Sequence, residues 1–235
     1  MRSGLVYMCH QDHKKPELEI RDLGLTDYRQ TLKLQKELWQ KRYDKKIVNT
    51  VLLVEHLAVI TLGIREEKNK FLVDRKQLRE KNIDIVEIRR GGGATAHNPG
   101  QLVLYPILNL KELKLGISDY VHELESVTIK LLKKLNLETN RKKGFPGIWI
   151  GEQKIASVGV RVSRGVTFHG LAVNIYNDLS IFDNIVPCGL EGVKMTSVYG
   201  ETKVKHSMEK TKNILREILI ETFSRKGTFD HEKNS

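Results

Sequence analysis

The stretch from Gly147 to Ile175 holds three β-rich runs separated by two tight turns, at Gly151-Glu152 and Arg164-Gly165. Strands joined by turns this short pair antiparallel, because a parallel pair needs a crossover of about a dozen residues or more. Further β-rich runs lie at Val51 to Leu62, Ile83 to Ile88 and Leu102 to Leu110. Ahead of them the spacing of Tyr28, Leu32, Leu38 and Trp39 predicts a helix over Thr26 to Arg42. Val121, Leu124, Val127, Leu131, Leu132 and Leu135 predict a second. A third is expected from Ser207 to Phe223. Hairpins mixed with interposed helices indicate an α+β domain with a mixed, largely antiparallel sheet flanked by helices.

The 235 residues contain no internal repeat or low-complexity linker, and 40% of them are hydrophobic, enough for the core of one domain. No stretch approaches the roughly 20 apolar residues that cross a bilayer. Residues Met1 to Lys15 lack the apolar centre of a secretion signal. The two cysteines, Cys9 and Cys188, are too few and too far apart for a disulfide framework or a zinc site. A reducing compartment is expected, cytoplasmic or, in a eukaryote, organellar, with Cys188 a free thiol and no metal. The net charge of +11 comes from lysines and arginines spread over Lys41 to Lys46, Lys133 to Lys143 and Lys203 to Lys212, interleaved with acids. Without an aromatic stacking series among them, they read first as a solvated surface, second as a surface for an acidic protein and only third as a nucleic-acid site.

Three segments carry candidate chemistry. Arg90 to Gln101 packs four glycines and a proline into twelve residues between two β-rich runs. It is read as a loop, either a plain connection or one whose bare backbone approaches a ligand. It lacks the Gly-Lys-Ser/Thr of a phosphate loop and the helix that follows a dinucleotide-binding glycine motif. Lys154 opens a strand whose alternation sets Lys154, Ala156 and Val158 on one face and Ile155, Ser157 and Gly159 on the other. It is either a strand-end lysine reaching solvent or a buried functional amine. His169 lies in a strand of small and apolar residues, where a hydrogen-bonded core histidine is the plainer reading. Cys188 follows Pro187 and precedes Gly189 in a short bend that presents a thiol; the alternative is a small buried hydrophobe.

Together, Arg-Gly-Gly…Thr-x-His-x-Pro-Gly-Gln ending at Gln101, Lys-Ile-Ala-x-x-Gly-Val-Arg-Val from Lys154, His-Gly-x-Ala-x-Asn from His169 and Ile-Val-Pro-Cys-Gly around Cys188 resemble the octanoyltransferase family that begins protein lipoylation. The likeness runs from about Glu17, through Arg21 to Leu25, Tyr28, Glu55-His56 and Thr61 to Gly63, to Thr196 to Val198 and the last helix. It implies the catalytic-domain fold of biotin and lipoate protein ligases, used without ATP or another cofactor. It also implies a 1–16 N-terminal extension, a catalytic domain over 17–224 and a disordered polar tail over 225–235.

By the same resemblance, an octanoyl group passes from acyl carrier protein to Cys188 and then to a lysine of a lipoyl domain of 2-oxoacid dehydrogenases or of the glycine cleavage H protein. An unperturbed thiol, with a pKa of about 8.5, is only a few per cent thiolate at pH 7, and a neighbouring ammonium favours the charged form. The resemblance gives that place to Lys154, with His97 and His169 orienting groups or moving protons near the thiol. It assigns the acyl pocket to Arg90, Gly91, Gly92, Gly93, Ala94, Thr95, Ala96 and His97, to Ser157, Val158 and Gly159, and to Gly170, Leu171 and Ala172. No nucleic acid or membrane partner is implied, and a monomer is expected. The chain departs from the family pattern at Gly93, Ala96 and Asn98, which leaves pocket width and loop conformation open. An ATP-dependent lipoate or biotin ligase and a carrier-to-carrier amidotransferase are the alternatives, with a nucleic-acid module the more distant one.

Overall fold

The computed structural model describes residues 18–224 and the strand Val6–Tyr7. Apart from that strand, the N-terminal extension with Cys9, and the tail 225–235, fall outside the described residues. In chain order the elements are β1 (Val6–Tyr7), β2 (Leu18–Thr26), α1 (Tyr28–Tyr43), β3 (Asn49–His56), β4 (Val59–Leu62), α2 (Arg75–Glu80), β5 (Asp84–Glu87), β6 (Thr95–His97) and β7 (Gln101–Ile107). They continue with α3 (Ile117–Lys134), β8 (Asn140–Lys142), β9 (Phe145–Ile150), β10 (Gln153–Ser163), β11 (Val166–Asn174), α4 (Val198–Thr202) and α5 (Met208–Phe223). Short 3₁₀ segments form at Glu66–Lys68, Leu179–Asn184 and Pro187–Gly189.

Among the described residues the strands make an eight-stranded sheet in the order β1-β2-β3-β7-β11-β10-β9-β8 and a three-stranded sheet in the order β5-β4-β6. The fold is α+β and largely antiparallel. Its two parallel pairs are β2 with β3 and β4 with β5, and each is joined through a helix, α1 and α2 respectively, as a parallel connection requires. The turns at Gly151-Glu152 and Arg164-Gly165 produce the β9-β10-β11 meander.

Helix starts follow their caps. Asp27 accepts the Gln30 amide at the start of α1, and Ser207 accepts the Lys210 amide at the start of α5. The apolar stripe of α3, with Leu124, Val127 and Leu131, packs with Leu215 and Leu219 of α5 over Leu104, Ile148 and Val173 of the large sheet. Each such fully buried side chain contributes about 2 kcal/mol of transfer free energy. On the opposite face α1 lays Tyr28 and Leu38 over Leu52, Val103 and Tyr105. A third cluster, with Ile60, Ala94, Ala96, Ile181 and Phe182, binds the small sheet to the Leu179–Asn184 turn. No helix among the described residues is long and apolar enough to cross a membrane.

Two expectations change. The run Val51 to Leu62 is two strands in two different sheets, broken at Leu57-Ala58, where Leu57 is exposed and its amide turns back to the Thr26 carbonyl. The glycine-rich segment is loop at its ends only, because Thr95–His97 pairs antiparallel with the open edge of β4.

Candidate active site

The Pro187–Gly189 turn holds Cys188 in the left-handed region, at φ 57° and ψ 12°. A non-glycine residue there is uncommon, and such backbones persist where surrounding contacts fix them. Here the Cys188 amide donates to the Ala94 carbonyl at 2.8 Å, tying the turn to the glycine-rich segment. The thiol is free and half-buried. The Nζ of Lys154 lies 3.7 Å from its Sγ.

Lys154 is 2% exposed. Among the described residues no carboxylate pairs with it, and its neighbours are the thiol and the face of Trp149, whose ring centre is 5.2 Å from Nζ. Its backbone is clamped to the segment beyond the cysteine, the amide donating to Lys194 and the carbonyl accepting from Thr196, both at 2.9 Å. The pairing of β10 with β9 shifts register between Lys154 and Ala156, so the simple alternation expected for this strand fails: Ile155 and Ala156 both enter one core cluster, and Lys154 turns to the thiol. A bulge re-aims a side chain in this way. Gly147 makes room for it, since a Cβ there would stand 2.5 Å from Lys154 Cε.

A narrow cavity beside the thiol is lined by Tyr28, Arg90, Gly92, Thr95, His97, Val103 and Tyr105, and along β10 and β11 by Ser157 to Gly159 and His169 to Ala172. Ser157 faces Ala172 and Gly159 faces Gly170 in register, giving a floor of small residues two strands wide. A wider groove past Phe71, Leu72, Phe182 and Val186 flanks the same turn but does not include Cys188.

Residues 27–220 match the family model described as the lipoyl protein ligase A/B catalytic domain. Octanoyltransferase from Desulfovibrio desulfuricans is 43% identical over 181 residues, covering 77% of this chain and 76% of that one. Octanoyltransferase from Syntrophobacter fumaroxidans is 44% identical over 179 residues, covering 76% and 78%. The chain belongs to the octanoyltransferase family. It is an acyltransferase with the fold of the lipoate ligases: a bipartite lipoate protein ligase from Thermoplasma acidophilum superposes with a TM-score of 0.69 at 17% identity, over 89% of this chain and 84% of that one. Lipoate-protein ligase A bound with ATP superposes at 0.67 and 18%, over 84% and 82%.

In this octanoyltransferase-family chain, Cys188, Lys154, His97 and His169 are all at or beside the cavity. Of the glycine-rich segment, Arg90, Gly92, Thr95 and His97 line it, whereas Gly91 is tied by its amide to the Val160 carbonyl outside the lining, Ala94 and Ala96 pack behind in the small-sheet core and Gly93 abuts Lys68. Ala96 therefore does not itself line the cavity. Asn98 holds its loop by donating to the Asp178 carbonyl and accepting from Asn177. Smallness at two floor positions has a second cause: a Cβ on Gly170 would stand 2.0 Å from the Leu104 carbonyl oxygen, and one on Gly159 2.9 Å from Arg90 Cδ.

Arg90 is buried without a carboxylate partner among the described residues, and its guanidinium donates to the carbonyls of Gly91, Gly93 and Thr61 and to the Thr61 hydroxyl. Burial lowers its pKa, while its charge interacts with Cys188. Lys154 and Arg90 are thus the two buried basic side chains beside the thiol. Burial favours the neutral form of the three histidines at the site. Burial, reinforced by His56, pushes His97 down to about 3, and burial with the Arg90 charge does the same to His169. His56 falls to about 4 through burial. The sequence reading did not give Tyr28, His56, Val103 and Tyr105 places at the site. Tyr28 stacks on His97, with ring centres 5.8 Å apart, and the Tyr105 hydroxyl meets His56 Nε2 at 2.8 Å. Tyr28 and Tyr105 occupy ordinary apolar positions of a helix and a strand, so their periodicity carries no sign of a site.

Proposed function

We propose that this chain transfers an octanoyl group from octanoyl-acyl carrier protein, through a thioester on Cys188, to a lysine of a lipoyl domain or of the glycine cleavage H protein, without ATP. The observation that carries this reading is the 3.7 Å approach of Lys154 Nζ to Cys188 Sγ, made by a lysine 2% exposed and, among the described residues, without a carboxylate. A buried ammonium with no carboxylate calls for another anion, and a thiolate is the anion at hand.

In the first half-reaction the Cys188 thiolate attacks the thioester carbonyl carbon of the donor, forming the new carbon–sulfur bond. The tetrahedral adduct collapses, the carrier's carbon–sulfur bond breaks, and the departing thiolate takes a proton from the Lys154 ammonium. Lys154 is left neutral. In the second half-reaction the acceptor amine attacks the acyl-enzyme, its proton passes to neutral Lys154, the amide bond forms and the Cys188 carbon–sulfur bond breaks. The thiolate and ammonium are restored. The acyl chain lies along the small-residue floor, with Arg90 holding the glycine-rich wall in place. Residues 17–224 are the catalytic unit, acting as a monomer in a reducing, cytoplasmic-type compartment.

Incubation of the purified chain with octanoyl-acyl carrier protein and a lipoyl domain in ATP-free buffer tests this reading. Octanoylated lipoyl domain is expected. Transfer only from free octanoate with ATP, accompanied by ATP–pyrophosphate exchange, would instead show an adenylating ligase.

A further inference from the structure

A chain of buried side-chain amides leads away from His97. His97 Nδ1 is 2.7 Å from Gln101 Oε1; Gln101 Nε2 donates to the Ala96 carbonyl at 3.2 Å and to Asn174 Oδ1 at 2.9 Å; Asn174 Nδ2 donates to the Thr196 carbonyl at 2.9 Å. The side chains of His97, Gln101 and Asn174 are all buried. The Thr196 amide in turn donates to the carbonyl of Lys154.

The polarity of this chain follows from its ends. The carbonyls of Thr196 and Ala96 can only accept. Asn174 must therefore turn its amide nitrogen to Thr196 and its oxygen to Gln101. Gln101 must turn its nitrogen to Asn174 and Ala96, and its oxygen to His97. An oxygen facing Nδ1 requires the proton there, so neutral His97 is the Nδ1–H tautomer. Its Nε2 has no hydrogen bond within the described residues and carries a lone pair on the wall of the cavity that holds Cys188.

We propose that Gln101 and Asn174 are positioning residues that lock His97 in this tautomer, making Nε2 a fixed hydrogen-bond acceptor for the incoming acceptor amine. The inference rests on the acyl-transfer reading above. Held neutral, His97 orients an N–H of the amine toward the acyl carbon and leaves the proton itself to Lys154. The opposite tautomer would present an N–H to the amine in place of a lone pair, and holding the wrong tautomer is known to cripple a correctly placed histidine.

The test joins a spectroscopic readout to the two half-reactions. In the ¹⁵N-histidine-labelled chain, with His97 assigned by its loss in His97→Gln, the wild type should show a protonated Nδ1 and a bare Nε2. In Gln101→Met the signal should move toward the Nε2–H tautomer. Transfer from octanoyl-Cys188 to a lipoyl domain should slow at least about tenfold, more than acyl-enzyme formation slows. Asn174→Asp alters the chain two links from His97. It should lose transfer at neutral pH and recover, relative to wild type, as the pH falls, because a protonated carboxyl again donates to Thr196. A wild-type His97 protonated at Nε2, or both variants folded and transferring at the wild-type rate, would overturn the proposal. Absence of octanoyl-Cys188 in the wild type would instead refute the acyl-transfer reading and leave the tautomer measurement standing.

Discussion

Lys154 meets the thiol with its charge and meets Trp149 and Gly147 with its methylenes, so the two roles separate by substitution. Lys154→Met keeps most of the volume and removes the charge. Iodoacetamide alkylation of Cys188 at pH 7 should slow about tenfold or more, and acyl transfer should collapse. The melting temperature should hold or rise, because a buried cation without a carboxylate is replaced by an apolar side chain. Lys154→Arg should keep part of the alkylation rate and still transfer poorly, since a guanidinium does not surrender its proton. Equal alkylation in wild type and Lys154→Met would remove Lys154 from the thiol's activation.

The buried histidines make a second prediction, for stability. His56, His97 and His169 have folded-state values of about 4, 3 and 3, below the ordinary 6.5. The unfolded chain therefore takes up protons first as the pH falls. Their contribution to stability is complete above pH 6.5 and is lost on acidification toward pH 4, by up to about 1.4 kcal/mol per pH unit for each histidine. Denaturant unfolding from pH 7 to 4.5 should show that decline, and His56→Gln should make it shallower. A flat profile would mean that these rings are protonated in the native state.

At the scale of elements, the β9-β10 hairpin aims the lysine. Gly147 sits at φ 126°, and a Cβ there would stand 2.4 Å from the Ala156 carbonyl oxygen as well as 2.5 Å from Lys154 Cε. Gly147→Ala should cost about 1–3 kcal/mol. It should also slow Cys188 alkylation by displacing Nζ, whereas an equally destabilising change in the α3–α5 core should leave alkylation alone. Much of this architecture was legible beforehand. The stripes on α1, α3 and α5 and the turns at Gly151 and Arg164 are local signals, and they gave the right elements. The break at Leu57-Ala58 was not, because no glycine or proline marks it and only the pairing of β4 with β5 and β6 decides it. The register shift beside Ile155 is likewise a tertiary event. Read from its own strand, Lys154 is as much a surface lysine as a catalytic one; its place beside Cys188, 34 residues away, came from the likeness to a family. His169 looks like a regular strand residue until its backbone, at φ 57°, is seen.

At the scale of the molecule, one sheet carries Lys154 and the cavity floor, the small sheet carries His97, and the Pro187–Gly189 turn bridges them through the Ala94 carbonyl. The site therefore assembles only when both sheets are in place. The net charge of +11 suits an acidic carrier protein, and steering of that kind is screened as the Debye length falls to about 8 Å at 0.15 M salt. Association with octanoyl-acyl carrier protein should slow between low and physiological salt while turnover at saturating donor barely changes; a salt-independent association rate would make the charge incidental. The thioester on Cys188 is open to intact-mass analysis after mixing with octanoyl-acyl carrier protein. A single octanoyl adduct is expected on the wild type, removed by hydroxylamine and absent from Cys188→Ala. An adduct that persists in Cys188→Ala, or none on an active wild type, would contradict it.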